Sequence, residues 1–216
     1  MASVVPSESL LIRPDILRRF DFPSLFGNDR PVELELGSGD GSFLLQYAGR
    51  RPEVNFLAVE RLLGRLRKIE RKAPRLGLRN IRGLRLEATY LLEWMIPPGS
   101  LSAIHVYFPD PWPKKRHLRR RLVNDVFAVL AARALAPGGV VAFNVNEHAS
   151  MAEDIAAVAA AFGHAAVYRC PPSDNRVVIA TEGAMPTDDE LRARIGGLDA
   201  RFGGALSFAE VLRNRE

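Results

Sequence analysis

Two stretches of this chain gather residue types that can do chemistry. The first is Glu35–Leu36–Gly37–Ser38–Gly39–Asp40–Gly41. Glycines let a backbone turn tightly and approach a ligand that any Cβ would push away. A dinucleotide fingerprint would put its third glycine at position 42, which is Ser42, so the G-x-G-x-x-G spacing of nicotinamide enzymes fails. An acid just ahead of the turn suits instead a ligand with a cationic ammonium and no pyrophosphate, and S-adenosylmethionine is such a ligand. Glu60 follows about 20 residues later, at the end of the next apolar run, where a carboxylate can accept hydrogen bonds from both ribose hydroxyls. A strand-end charge paired with Arg61 would give the same pattern. Glu87 follows the third apolar run, where an acid or amide often meets an adenine amino group; Arg85 and Glu93 offer a local ion pair as the alternative.

The second stretch runs from Tyr107–Phe108–Pro109–Asp110–Pro111–Trp112–Pro113–Lys114 to Lys115–Arg116–His117–Leu118–Arg119–Arg120–Arg121. Two prolines restrict the backbone around Asp110. Trp112 offers a flat face that can stack on a base or pack beneath the loop. Six Lys and Arg then fall within eight residues, dense enough to engage several phosphates. A charge run by itself is a solvated face; beside a reaction centre it argues for nucleic acid. His105, His117, His148 and His164 have no ligand-like spacing, and Cys170 is the single cysteine, so no metal site is expected.

The elements that must position these residues follow from the apolar pattern. Short apolar runs predict strands at Val32–Leu36, Val54–Val59, Ile81–Leu86, Leu101–Phe108 and Val140–Val145, then near 165–169 and 176–181. Between them lie helical stretches at Phe43–Ala48, Leu62–Lys72 (strongly basic), Tyr90–Ile96, 119–135 and Ser150–Phe162, the fourth stopped by Pro137–Gly138–Gly139. Strands alternating with helices imply an α/β fold whose mostly parallel sheet is covered on both faces. The last two strands, joined by Pro171–Asn175, suit a hairpin and hence one antiparallel edge strand. Ligands in such sheets bind beyond the carboxyl ends of the strands, where both stretches fall. Residues 1–30 form a lead-in arm and residues 31–183 one domain. Residues 184–216 form a helical extension packed on it, with helices near Asp188–Arg194 and Ser207–Arg213. Leu191, Ile195, Leu198 and Phe202 give that tail an apolar face, and Gly196–Gly197 and Gly203–Gly204 predict short hinged helices rather than a long one.

Composition bounds the rest. The chain has 216 residues, 47% hydrophobic and 25% charged, ordinary for one well-filled globular core. Thirty Lys and Arg against 25 Asp and Glu, with pI ≈ 9.8, lean towards an anionic partner. No apolar run approaches the ~18 residues of a membrane span, and Ser7, Glu8, Arg13 and Asp15 interrupt any secretory leader. A cytoplasmic protein, monomeric or homodimeric, is the expectation.

The string F-P-D-P-W-P-K-K-R-H-x-x-R-R-L at 108–122 resembles the signature of the bacterial tRNA (guanine-N7-)-methyltransferases. The likeness extends from L-F-G-N-D at Leu25–Asp29 through E-L-G-S-G-D-G and L-A-V-E to Asn146. It implies a single Rossmann-like class I methyltransferase domain, with a seven-stranded, mostly parallel sheet, S-adenosylmethionine as cofactor and tRNA as partner. It further implies cofactor contacts at Glu35, Gly37, Gly39, Glu60, Glu87 and Asp110, with Asp110 also the central active-site acid. Lys114 and Asn146 would bind substrate, joined by Trp112, Lys115 and Arg116. Two departures stand out. The family more often has Asp or Asn where Glu87 stands, and the T-x-[FY]-E segment it uses for guanine is missing from the short Pro171–Asn175 connection. The tail from Pro186 then stands in for that segment, either as a lid over the site or as a structural cap. Alternatives are a class I methyltransferase for another RNA or a small substrate, and a tRNA-binding protein with weak activity.

Overall fold

Hydrophobic alternation gives way at once to continuous burial: every residue of β1 (Val32–Leu36) and of β2 (Asn55–Val59) is buried, as befits strands covered on both faces. A computed structural model describes residues 9–109, 122–145, 151–201 and 208–215. Its sheet has seven strands in the order β3-β2-β1-β4-β5-β7-β6, with β3 at Ile81–Leu84, β4 at Leu101–Val106, β5 at Leu135–Val145, β6 at His164–Arg169 and β7 at Arg176–Thr181. The first five strands pair in parallel; β7 runs antiparallel between β5 and β6. This is a doubly wound, Rossmann-like architecture. The antiparallel partner of β5 is therefore inserted one place in from the edge.

One face of the sheet is covered by α2 (Ser42–Arg50) and α3 (Leu63–Arg75), which bury Leu44, Leu45, Ala48, Leu66, Ile69 and Ala73 against Phe56 and Ala58. The other face packs on α5 (Asp125–Ala134) and α6 (Met151–Phe162) through Leu34, Leu36, Ile104, Val106, Phe127, Ala131 and Val158. Asn124 caps α5 by accepting from the Phe127 N–H at 2.9 Å.

The predicted strands recur within a residue or two, except at β5. That strand begins at Leu135 and carries Pro137–Gly138–Gly139 inside an irregularity, where its register against β4 shifts between Leu101 and Ala103. The expected helix at Tyr90–Ile96 is a short α4 (Ala88–Tyr90) running into a π-helical turn, Leu91–Met95. The basic helix continues past Lys72 through Pro74 to Arg75.

Both margins of the sheet are covered by distant chain. Leu11 bridges Gly83 of β3 in parallel; the Ile12 N–H donates to Gly83 O at 2.9 Å and the Gly83 N–H to Leu10 O at 2.8 Å. A Cβ on Gly83 would sit 2.8 Å from Leu11 Cδ2 and 2.9 Å from Leu10 Cδ2, so a side chain there would oblige those two methyl groups to move. Further along the lead-in chain, α1 (Phe22–Phe26) buries both its phenylalanines in the core. At the far margin, Tyr168 of β6 bridges Arg215, and the Arg169 N–H donates to Asn214 O at 2.9 Å.

The tail holds α7 (Asp188–Arg201) and α8 (Phe208–Arg213). Thr187 and Glu190 cap α7 reciprocally: the Thr187 N–H donates to Glu190 at 2.8 Å and the Glu190 N–H to Thr187 Oγ1 at 3.2 Å. Contrary to the hinged helices expected, α7 continues unbroken through Gly196–Gly197. Leu191 and Ile195 are half-buried, while Phe202, Gly203 and Gly204 lie outside the described residues.

Candidate functional site

The strand order reverses between β1 and β4, and the crevice beyond their carboxyl ends is where this topology binds ligands. From β1 the chain enters the Gly loop, whose Gly37, Gly39 and Gly41 have φ of 76°, 56° and 81°. Gly41 is the most constrained. It caps α2 in the left-handed region, and a Cβ there would meet Ile69 Cγ1 of α3 at 2.8 Å. The loop is hung on β2 by the Gly37 and Ser38 N–H groups, both donating to Val59 O, at 2.8 and 3.0 Å.

Two carboxylates frame this loop. Glu60, buried at the end of β2, accepts from the Gly39 N–H at 3.1 Å and the Leu62 N–H at 2.9 Å, and Arg65 approaches it at 3.6 Å. Its ionic neighbour is thus Arg65, one helical turn on, rather than Arg61. Glu35 is 3% exposed, and its Oε2 has no hydrogen-bond partner. Burial, reinforced by the charge of Glu60, pushes its carboxyl up to about 8, so at neutral pH it holds a proton. Ser38 Oγ beside it is likewise buried and unpartnered. Leaving such groups unpaired is costly, and a cationic donor seated on the loop would satisfy them. Asp40 on the outer side of the loop takes hydrogen bonds from Ser42 and Lys72, which hold its carboxyl below the ordinary range.

Glu87 is placed differently from its expected role. Its carboxylate is exposed and caps α4, accepting from the Thr89 N–H at 2.9 Å and the Tyr90 N–H at 2.8 Å. Asp110, Trp112, Lys114, Lys115, Arg116 and Asn146, with the rest of 110–121 and 146–150, lie outside the described residues. Their approach is nonetheless defined on the β4 side. Phe108, 73% exposed, has φ +52°, uncommon for a non-glycine residue and characteristic of functional turns.

The residue that holds this turn was not legible as functional. Asn144, buried in β5, accepts the Phe108 N–H on Oδ1 and donates from Nδ2 to Asn175 Oδ1 at 3.0 Å. Asn175 belongs to the short connection that replaces the T-x-[FY]-E segment. A polar residue within the otherwise apolar run Val140–Val145 was the available signal.

A second polar system lies under the site. Glu33 and Glu35 share a face of β1, and His105 pairs in register with Glu35. His105 Nε2 lies 2.8 Å from Glu33 Oε2, and its Nδ1 lies 3.2 Å from the Tyr107 hydroxyl. Burial, with nearby Tyr47, Glu35 and Glu33, raises the Tyr107 pKa, so the phenol stays protonated beside Nδ1. Arg51 meets the other Glu33 oxygen at 3.5 Å, and Phe43 and Tyr47 of α2 pack on the imidazole. Glu33, His105 and Tyr107 each have partners, so His105 acts as a buried strut between β1 and β4. Among the described residues, no group of three or more His, Cys, Asp or Glu could hold a metal ion, and no helix is long and apolar enough to cross a membrane.

Known proteins resemble this chain in sequence and in fold. The tRNA (guanine-N(7)-)-methyltransferase of Syntrophotalea carbinolica is 44% identical over 124 residues, covering 57% of this chain and 53% of the relative. The protein of the same name from Geobacter metallireducens is 41% identical over 134 residues, covering 62% and 64%. The alignments thus span roughly half to two thirds of these relatives' own length. Human methyltransferase-like protein 13, solved in complex with SAH, superposes with a TM-score of 0.65 at 18% identity over 87% of each chain, a likeness of fold alone. A family model described as "Putative methyltransferase" matches residues 29–182, from the turn before β1 to the start of the chain beyond β7, and the chain belongs to that methyltransferase family.

Proposed function

We propose that the protein transfers a methyl group from S-adenosylmethionine to N7 of a guanine in tRNA. The observation that carries the cofactor half is the unpartnered Glu35 Oε2, buried at the Gly loop with Glu60 close behind it. Relatives at 41–47% identity that bear the name tRNA (guanine-N(7)-)-methyltransferase support the substrate half.

The bound cofactor would supply a methyl group on a sulfonium centre, activated for displacement. Glu35, once ionised, would hold the amino-acid ammonium, and Glu60 the ribose hydroxyls, each with lone pairs left over from the contacts described. Glu87 keeps its place as the adenine-side acid only if its carboxylate leaves the α4 cap. The guanine N7 lone pair lies in the ring plane and carries no proton. It forms the new N–C bond while the C–S bond breaks and its electron pair goes to sulfur, so no residue has to act as a base. The protein's task is alignment, a proximity effect. Asp110 would orient guanine through its N–H donors and stabilise the positive charge that develops on the ring. Lys114, Asn146, Trp112, Lys115 and Arg116 would hold the surrounding RNA, in a cytoplasmic setting.

Nucleoside mass spectrometry of unmodified tRNA incubated with protein and S-adenosylmethionine tests this reading. Formation of 7-methylguanosine, lost in Asp110→Ala with cofactor affinity retained, is the expected result. Methylation at another atom, or none, overturns it.

A further inference from the structure

The helix that backs the Gly loop carries a charge pattern that the site does not use. In the 13 residues of α3 stand Arg65, Arg67, Lys68, Arg71, Lys72 and Arg75. Two of these face the site: Arg65 meets Glu60 and Lys72 meets Asp40 at 3.3 Å. Leu66, Ile69 and Ala73 form the buried stripe, each 0% exposed. At 100° per residue, Arg67, Arg71, Arg75 and Lys68 fan across the opposite side, and all four are exposed. Among the described residues, no carboxylate lies within ion-pairing distance of Arg67, Arg71 or Arg75. The helix's single acid, Glu70, accepts instead from Ser9 Oγ at 3.3 Å.

A solvent-facing helix shaped for stability alone alternates the signs of its charges. This one sets like charges four apart at Arg67/Arg71, Arg71/Arg75 and Lys68/Lys72, an arrangement that destabilises a helix. The repulsion is relieved when anions lie along the row. Arginine's planar fork suits phosphate oxygens. The row from Arg67 to Arg75 spans about 12 Å, a distance over which a nucleic-acid backbone offers several phosphates. The surface is also held in fixed relation to the site, since Ile69 packs directly on Gly41. Its apolar stripe is sealed in the core, which removes the means by which an amphipathic helix enters a lipid surface.

We propose that the exposed face of α3, formed by Arg67, Arg71 and Arg75 with Lys68 beside them, is a second phosphate-binding surface that grips the backbone of the RNA substrate away from the target base. It rests on the reading of tRNA as substrate and is drawn from residues other than the basic run at Lys114–Arg121.

The test is Arg67→Gln/Arg71→Gln/Arg75→Gln in the full chain, read by tRNA binding across a series of KCl concentrations, with S-adenosylmethionine affinity and the melting temperature measured alongside. Weaker tRNA binding is expected, with the log–log salt slope reduced by roughly 0.7–0.9 per lost contact, while cofactor affinity is kept and the melting temperature is kept or slightly raised. An unchanged slope and affinity in a folded variant overturns the surface. So does a wild-type protein that binds no tRNA, or one whose tRNA binding is unaffected while its binding to anionic phosphatidylserine vesicles is lost. Formation of 7-methylguanosine by the wild type is scored separately: tRNA binding through α3 without that product overturns the proposed activity and leaves the surface standing.

Discussion

Glu35 and Glu60 show how two carboxylates that frame one loop come to differ. Glu60 accepts two backbone N–H groups, whereas Glu35 is buried with an orphan oxygen and keeps its proton up to about pH 8. In the unfolded chain the same carboxyl ionises near 4.5. Between these values the folded protein binds more protons, so the stability contributed by Glu35 is present at low pH and falls as pH rises towards 8. Glu35→Gln, uncharged and of similar shape, removes that slope; melting temperatures at pH 5 and pH 8.5 should lie closer together in the variant than in wild type. An ammonium ligand favours the ionised carboxyl, so S-adenosylmethionine binding near pH 7 should expel about one proton. Calorimetry in two buffers of different ionisation enthalpy reads this directly. Equal proton release by wild type and variant would remove Glu35 from the cofactor site.

At the scale of elements, the candidate site lies where β1, β2 and β4 end, and the β6–β7 connection meets the turn after β4 through the Asn144–Asn175 pair. Asn175→Ala should leave the buried Asn144 amide without its acceptor, at a cost of about 1–3 kcal/mol, and free the turn at Phe108. Single-turnover methyl transfer should slow at least several-fold while cofactor affinity holds. Asn175→Asp, which keeps an acceptor oxygen in place, should restore most of the rate; failure of that rescue would reduce the pair to simple packing. The strands were legible because burial on both faces leaves unbroken apolar runs, and the Gly loop because its sequence has few structural solutions. The start of β5 was not, since Pro137–Gly138–Gly139 reads as a helix stop and only pairing with β4 reveals the irregular strand. Nor was the capping role of Glu87, which depends on a helix of three residues, too short to leave a periodicity. The Asn144–Asn175 pair joins residues 31 apart in sequence, so the lone polar residue in the apolar run Val140–Val145 marks Asn144 but does not reveal its partner.

Over the whole molecule, the tail behaves in its described part as a cover for the β6 margin. α8 leads directly to Asn214 and Arg215, which pair with Arg169 and Tyr168, and Arg215 is bound to Asp188 at 2.5 Å. Truncation after Gly183 should therefore lower the melting temperature and produce concentration-dependent aggregation through the bared strand, with cofactor affinity retained. A truncated protein that stays monodisperse, equally stable and equally active would contradict the cover. One that lost only tRNA methylation would point to a lid. The same pairing sets a schedule for the nascent chain. Leu10–Ile12 are made long before β3, so the first margin is closed as soon as its strand emerges. The second waits for Asn214 and Arg215, and at about 5–20 residues per second the ribosome needs several seconds to travel there from Arg169. During that interval the outer edge of β6 lacks its partner chain, and the growing protein is exposed to misassociation there until its synthesis has passed Asn214 and Arg215.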